Sequence, residues 1–220
     1  MDYTYWIIYS FDLIGTAAFA FSGGLRALDR RPDFIGILIL AGVTAIGGGM
    51  IRDGILGNQA RVLTDVNYMY VILASVVFLY CFPRSFWKRL NLFKYFDAFG
   101  FGAFSGVAAN LGVQDPSMNC FAVMILAVLT GCGGGVVRDV MIDKPSLPLS
   151  DELYVIPVII GALALMMVHY FGWGGEANEL IGFLTAFTLT TGLRIVAIRR
   201  DIRLPRIFIP PMGKDKIIDN

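Results

Sequence analysis

At 220 residues, with 56% hydrophobic and 16% charged side chains and a mean hydropathy of +0.68, the chain is far more apolar than a soluble domain of its size and reads as an integral membrane protein. A net charge of +1 gives no basis for a nucleic-acid partner. Cys81, Cys120 and Cys132 are odd in number, lack metal-ligand spacing and read as small buried hydrophobes. His169 stands alone, so neither a histidine metal cluster nor a serine-histidine triad can be assembled; no cofactor and no enzyme activity are expected.

Seven segments are long and apolar enough to cross a bilayer as helices: Tyr5 to Leu25, Phe34 to Ile51, Tyr68 to Phe82, Tyr95 to Leu111, Met118 to Val137, Leu153 to Phe171 and Leu180 to Ile198. No lysine or arginine precedes the first and no small-residue cleavage site follows it, so it is expected to remain as a spanning helix rather than a signal peptide. An odd number of crossings puts the termini on opposite sides. Of the 18 basic residues, only Arg52 and Arg61 fall on the side of the N-terminus; the other sixteen, Arg138 and Arg194 among them, fall on the side of the C-terminus. The positive-inside rule then predicts the N-terminus outside and the C-terminus in the cytoplasm. Trp6, Trp87 and Trp173 fall near segment ends, as interfacial anchors do. The basic residues 201–220 form a cytoplasmic tail that could lie on anionic lipid.

One stretch occurs twice. Ile39 to Asp53 slides onto Ile125 to Asp139 with nine of fifteen positions identical, including Thr44/Thr130, Gly47-Gly48-Gly49/Gly133-Gly134-Gly135, Arg52/Arg138 and Asp53/Asp139. Asp12, Gly15 and Phe19 likewise match Asp97, Gly100 and Phe104, and Tyr68 matches Tyr154. The expected architecture is a single all-α membrane domain: a three-helix repeat at 5–83, a second at 95–172 and a seventh helix at 178–200. Because three crossings are odd, the second copy enters from the opposite side, an inverted pair.

Small residues let helices approach closely, and Gly102 to Gly106 and Gly131 to Gly135 both fit that pattern. Two triple-glycine runs at equivalent depths instead favour helices broken or kinked beside an aqueous cavity, where exposed carbonyls can replace part of a cation's hydration shell. Asp12 is expected near Arg52 and Asp53 in the outer leaflet, and Asp97 near Arg138 and Asp139 in the inner one. Intramembrane charges are costly and usually paired, which leaves a structural ion pair and a gate or pathway-lining role both open.

The paired Gly-Gly-Gly-x-x-Arg-Asp motifs, Gly47 to Asp53 and Gly133 to Asp139, in a seven-crossing chain resemble the trimeric intracellular cation (TRIC) channel family, in its bacterial and archaeal branch. The resemblance implies a homotrimer with a pore in each subunit, surrounded by the first, second, fourth and fifth helices, kinked at the glycine triplets and conducting monovalent cations, mainly potassium as the permeant ion. It implies a multi-pass protein of the inner membrane. No counterpart of the Lys-Glu-Val motif by which eukaryotic members engage phosphoinositides is present. Some bacterial proteins of this kind are linked to uptake of small amino acids such as glycine, so a secondary transporter stands beside the channel; inverted repeats and broken helices would serve either.

Overall fold

The computed structural model describes residues 3–30, 32–81, 92–143, 153–172 and 176–202, and these are helical, with no strand among them. Among the described residues the fold is carried by the long helices α1 (Tyr3–Ala27), α2 (Phe34–Ile55), α3 (Asn67–Cys81), α4 (Leu92–Gln114), α5 (Cys120–Met141), α6 (Ile156–Phe171) and α7 (Glu176–Arg200). A 3-10 turn at Leu28–Arg30 follows α1, and a single helical turn at Arg61–Thr64 precedes α3. Tyr3–Arg30, Phe34–Ile55, Cys120–Met141 and Ala177–Arg200 are long and apolar enough to cross a membrane, while α3 and α6 are apolar but shorter.

α4 is the exception, and its position explains why. Every residue from Phe101 to Asn110 is buried, so the helix is walled by other helices rather than by lipid and can carry glycines, Asp97, Ser105 and Asn110. α1, α2, α5 and α4 pack in a ring, each on the next; α3 packs on α1 and α2, and α6 and α7 close over α4.

The two glycine-run helices start and stop alike. Asp33 caps α2 by accepting the Gly36 amide at 2.8 Å, and Asn119 caps α5 by accepting the Ala122 amide at 2.9 Å, satisfying donors that a helix start leaves open. At the far ends the Leu56 amide bonds the Arg52 carbonyl at 3.0 Å and the Ile142 amide the Arg138 carbonyl at 3.3 Å. Left-handed residues then turn the chain away, Gly57 at φ 69° and Asp143 at φ 52°.

The small residues of α4 serve contacts within the chain. A Cβ on Gly102 would lie 2.0 Å from Thr191 Oγ1 and one on Gly106 3.2 Å from the Phe183 ring, both on α7; on α6, a Cβ on Gly161 would lie 2.3 Å from Thr190 Oγ1 of α7. A glycine face on α4 therefore holds α7 and is not available for contact between subunits. Cys132 is buried as expected, but Cys81 and Cys120 lie on exposed helix surface. Trp6 is exposed near the start of α1; Trp87, Trp173 and residues 203–220 of the tail lie outside the described residues.

Candidate functional site: two buried arginine-aspartate clusters

Each glycine-run helix ends in Arg-Asp, and successive helical residues point about 100° apart, so the pair meets only if the arginine side chain folds back. It does so at both ends: Arg52 Nε donates to Asp53 Oδ1 at 2.8 Å, and Arg138 Nε to Asp139 Oδ1 at 2.8 Å. That chelation aims the other end of each guanidinium at the neighbouring helix. Arg52 Nη1 reaches both oxygens of Asp12 on α1, at 3.2 and 3.1 Å, while Arg138 Nη1 reaches Asp97 Oδ1 on α4 at 2.6 Å. The expected pairs thus meet in direct contact, with Asp12, Arg52, Asp97, Arg138 and Asp139 all 1% exposed or less.

Further residues complete each cluster. The Tyr68 hydroxyl donates to Asp12 Oδ2 at 2.8 Å and the Tyr154 hydroxyl to Asp97 Oδ2 at 3.1 Å, the use to which the matched tyrosines are put. In the Asp12 cluster Arg61 Nη1 stands 3.5 Å from Asp12 Oδ2, and the Arg61 amide donates to Asp53 Oδ2 at 2.9 Å. In the Asp97 cluster Ser22 of α1 accepts from Arg138 Nη1 at 2.6 Å, and Arg194 Nη2 of α7 lies 3.9 Å from Asp97 Oδ2. The positive-inside rule takes Arg138 and Arg194 as loop charges, but both are fully buried, so they are structural and electrostatic residues rather than topology signals. Each cluster sets two carboxylates against two guanidiniums, which is how charge persists in an apolar interior.

Between the clusters α1 and α4 interlock. Phe19 meets Phe104 edge to face at 5.0 Å, and each ring lies over the other helix's glycine: a Cβ on Gly15 would come within 2.9 Å of Phe104, and one on Gly100 within 2.9 Å of Phe19.

The glycine triplets correct the expectation of a break. α2 and α5 run as continuous α-helix through Gly47-Gly48-Gly49 and Gly133-Gly134-Gly135. Their missing side chains are used for contact. A Cβ on Gly48 would lie 2.1 Å from the Thr130 carbonyl oxygen and one on Gly134 2.0 Å from the Thr44 carbonyl oxygen, so the two backbones touch at the crossing. A Cβ on Gly47 would reach the Gly134 Cα at 3.3 Å, and one on Gly133 the Gly48 Cα at 3.3 Å. Rotation around α5 sends its remaining glycine elsewhere: a Cβ on Gly135 would meet the Tyr154 hydroxyl at 3.0 Å. Gly49 has only Arg52 Nη2 in reach, at 3.8 Å, and lines a cleft of about 10 Å³ with Asp12, Thr16, Arg52, Arg61, Tyr68 and Phe104, room for about one water.

Thr44 and Thr130 are both fully buried, but Thr44 Oγ1 donates to the Leu40 carbonyl at 2.6 Å, whereas Thr130 Oγ1 and Arg138 Nη2 have no hydrogen-bond partner among the described residues.

Paired helices, buried charge at both ends of a four-helix ring and closely crossed glycines define a multi-pass helical membrane protein of the TRIC fold. The fold is that of a TRIC cation channel with TM-score 0.80 and 31% identity over 91% of this chain and 97% of that one. It is also that of a prokaryotic TRIC channel crystallised in 0.5 M KCl (TM-score 0.76, 26% identity, 91% of this chain and all of that one). The Rhodobacter sphaeroides orthologue superposes at TM-score 0.74 with 26% identity, over 86% and 98% of the two chains. A family model described as glycine transporter matches residues 9–84 and 94–170, one match for each copy of the repeat. The Escherichia coli UPF0126 inner membrane protein YadS is 32% identical over 213 residues, 94% of this chain and 100% of that one. A UPF0126 membrane protein of Vibrio cholerae is 34% identical over 204 residues, 90% and 82% of the two. The chain belongs to this family, the bacterial branch of TRIC.

Proposed function

We propose that the protein is a cation channel, preferring potassium, that works as a homotrimer with one pathway per subunit through the α1, α2, α4, α5 ring. Its seven helices cross the inner membrane as two inverted three-helix repeats and a seventh helix, with the N-terminus outside and the C-terminus cytoplasmic. Membrane lipid and monovalent cations are its partners. The observation that carries this reading is the pair of buried Asp/Arg clusters, Asp12-Arg52-Asp53 and Asp97-Arg138-Asp139, at opposite ends of one helix ring. A permeating cation meets a carboxylate at each end, already held by a guanidinium that must yield it, which makes each cluster a gate. Between them the pathway runs along the triplets Gly47 to Gly49 and Gly133 to Gly135 with Thr44 and Thr130. Thr130 Oγ1 and Arg138 Nη2, buried and without a hydrogen-bond partner among the described residues, support this reading as polar atoms left for such a route to use.

The description of the matching family model favours a second reading, uptake of glycine or a similar small amino acid. Purified protein in liposomes, assayed for potassium flux and for radiolabelled glycine uptake, separates the two. Potassium conductance without saturable glycine uptake is expected; saturable glycine uptake without cation conductance would reverse the assignment.

A further inference from the structure

Arg61 and Arg194 hold corresponding places, each the second guanidinium on an acid that a glycine-run arginine already holds. Their surroundings differ. Arg194 belongs to a long helix, is 0% exposed, stacks over the Tyr154 ring at 4.1 Å and donates to the Leu153 carbonyl at 3.1 Å. Arg61 opens the isolated turn Arg61–Thr64, its side chain is 33% exposed, and its ion pair with Asp12 spans 3.5 Å. Arg52 contacts the same carboxylate through both oxygens, at 3.2 and 3.1 Å, with its side chain 1% exposed. Of the two cations on Asp12, Arg61 is the one that can leave.

It also stands where leaving would matter. Arg61 lines the narrow cleft of about 10 Å³ that reaches past Thr16 and Gly49 to Phe104. It lines as well a larger pocket of about 250 Å³ between α1, α4 and α7, with Thr4, Tyr9, Asn110, Gln114 and Glu179. Glu179 gives that pocket a fixed carboxylate, held by Asn110 Nδ2 at 2.9 Å and Gln114 Nε2 at 2.8 Å. The Arg61 amide stays anchored on Asp53 at 2.9 Å, so movement is confined to the side chain.

We infer that Arg61 is a tethered plug between the Glu179 pocket and the Asp12 cleft, closing the route by occupying Asp12 with its own positive charge. A cation drawn into the pocket by Glu179 competes with the guanidinium for Asp12 and enters as Arg61 swings aside. A partly exposed pair at 3.5 Å suits this exchange because such pairs hold weakly, and charge rather than bulk is what closes the route. Arg194, locked under Tyr154, offers no such swing, so the two ends of the ring are not equivalent gates.

The inference rests on the cation-channel reading, and its test separates the two. Arg61→Gln and Arg61→Lys are made in the full chain, each also combined with Thr16→Cys in a background carrying Cys81→Ser and Cys120→Ser. Potassium flux is measured in liposomes, labelling of Cys at position 16 by a water-soluble maleimide in detergent, and thermal stability throughout. Arg61→Gln should raise both flux and labelling rate by about fivefold, the factor corresponding to about 1 kcal/mol, with little change in stability, and Arg61→Lys should restore both toward the native values. Faster labelling with no potassium flux in any variant would keep the plug and overturn the channel. A folded Arg61→Gln variant with unchanged labelling, or a lysine variant that behaves like glutamine, would overturn the plug.

Discussion

The backbone contact at the glycine crossing makes a quantitative prediction. A methyl group on Gly48 would sit 2.1 Å from the Thr130 carbonyl oxygen, and ordinary van der Waals contact begins near 3.4 Å, so α2 and α5 must separate by about 1.3 Å for alanine to fit. The obstacle is backbone inside a helix and cannot rotate away as a side chain would. Overpacking of this kind costs about 1–3 kcal/mol, against which alanine recovers up to about 1 kcal/mol of helix propensity. Gly134→Ala faces the same conflict with the Thr44 carbonyl at 2.0 Å. Gly42 is the internal control: it lies on the same helix as Gly48, and a methyl group there would have nothing within 4 Å, so Gly42→Ala should be neutral or stabilising by up to about 1 kcal/mol. Thermal unfolding of the three variants in detergent, with oligomer size and potassium flux measured alongside, tests this. Gly48→Ala and Gly134→Ala should lose stability and Gly42→Ala should not. If all three shift alike, or if Gly48→Ala is as stable as the native chain, α2 and α5 do not touch at the triplets.

The clusters yield three more predictions. Asp97→Ala should destabilise by about 3–5 kcal/mol in thermal unfolding, because it leaves Arg138 and Arg194 buried without their shared carboxylate; a loss under about 1 kcal/mol would show that the cluster is not sealed from water. Asp12→Ala should cost less than Asp97→Ala in the same assay, since Arg61 is 33% exposed and can turn to solvent, and the reverse order would count against the difference between the two ends. Tyr68→Phe and Tyr154→Phe each delete a hydroxyl bonded to a buried carboxylate, a loss of about 1.5–3 kcal/mol by denaturation, and an unchanged midpoint for either would mean the carboxylate has another donor.

Much of this molecule was legible in one dimension because membrane crossing and duplication both leave linear marks. The apolar lengths marked α1, α2, α5 and α7 and the shorter α3 and α6, and the doubled Thr-x-x-Gly-Gly-Gly-x-x-Arg-Asp stretch, with Asp12 and Asp97 matched upstream, pointed to two equivalent charge pairs. Tyr68 and Tyr154 were visible as a matched pair, but not as the hydroxyls that hold Asp12 and Asp97. Tertiary structure alone decided what the glycines do. Two runs of three glycines at equivalent depths favour a broken helix when read from the sequence, and only the Thr130 and Thr44 carbonyls, 2.1 and 2.0 Å from a Cβ placed on Gly48 and Gly134, select the close crossing instead. It alone also brought Ser22, Arg61 and Arg194, from three separate elements, onto the two clusters. The physical reason is that lipid and protein interior are equally apolar, so hydropathy tells which segments enter the membrane but not which face of each helix meets another helix. An arginine near a helix end reads as a boundary charge whether it points to water or inward, and the rotation and packing of its helix settle which.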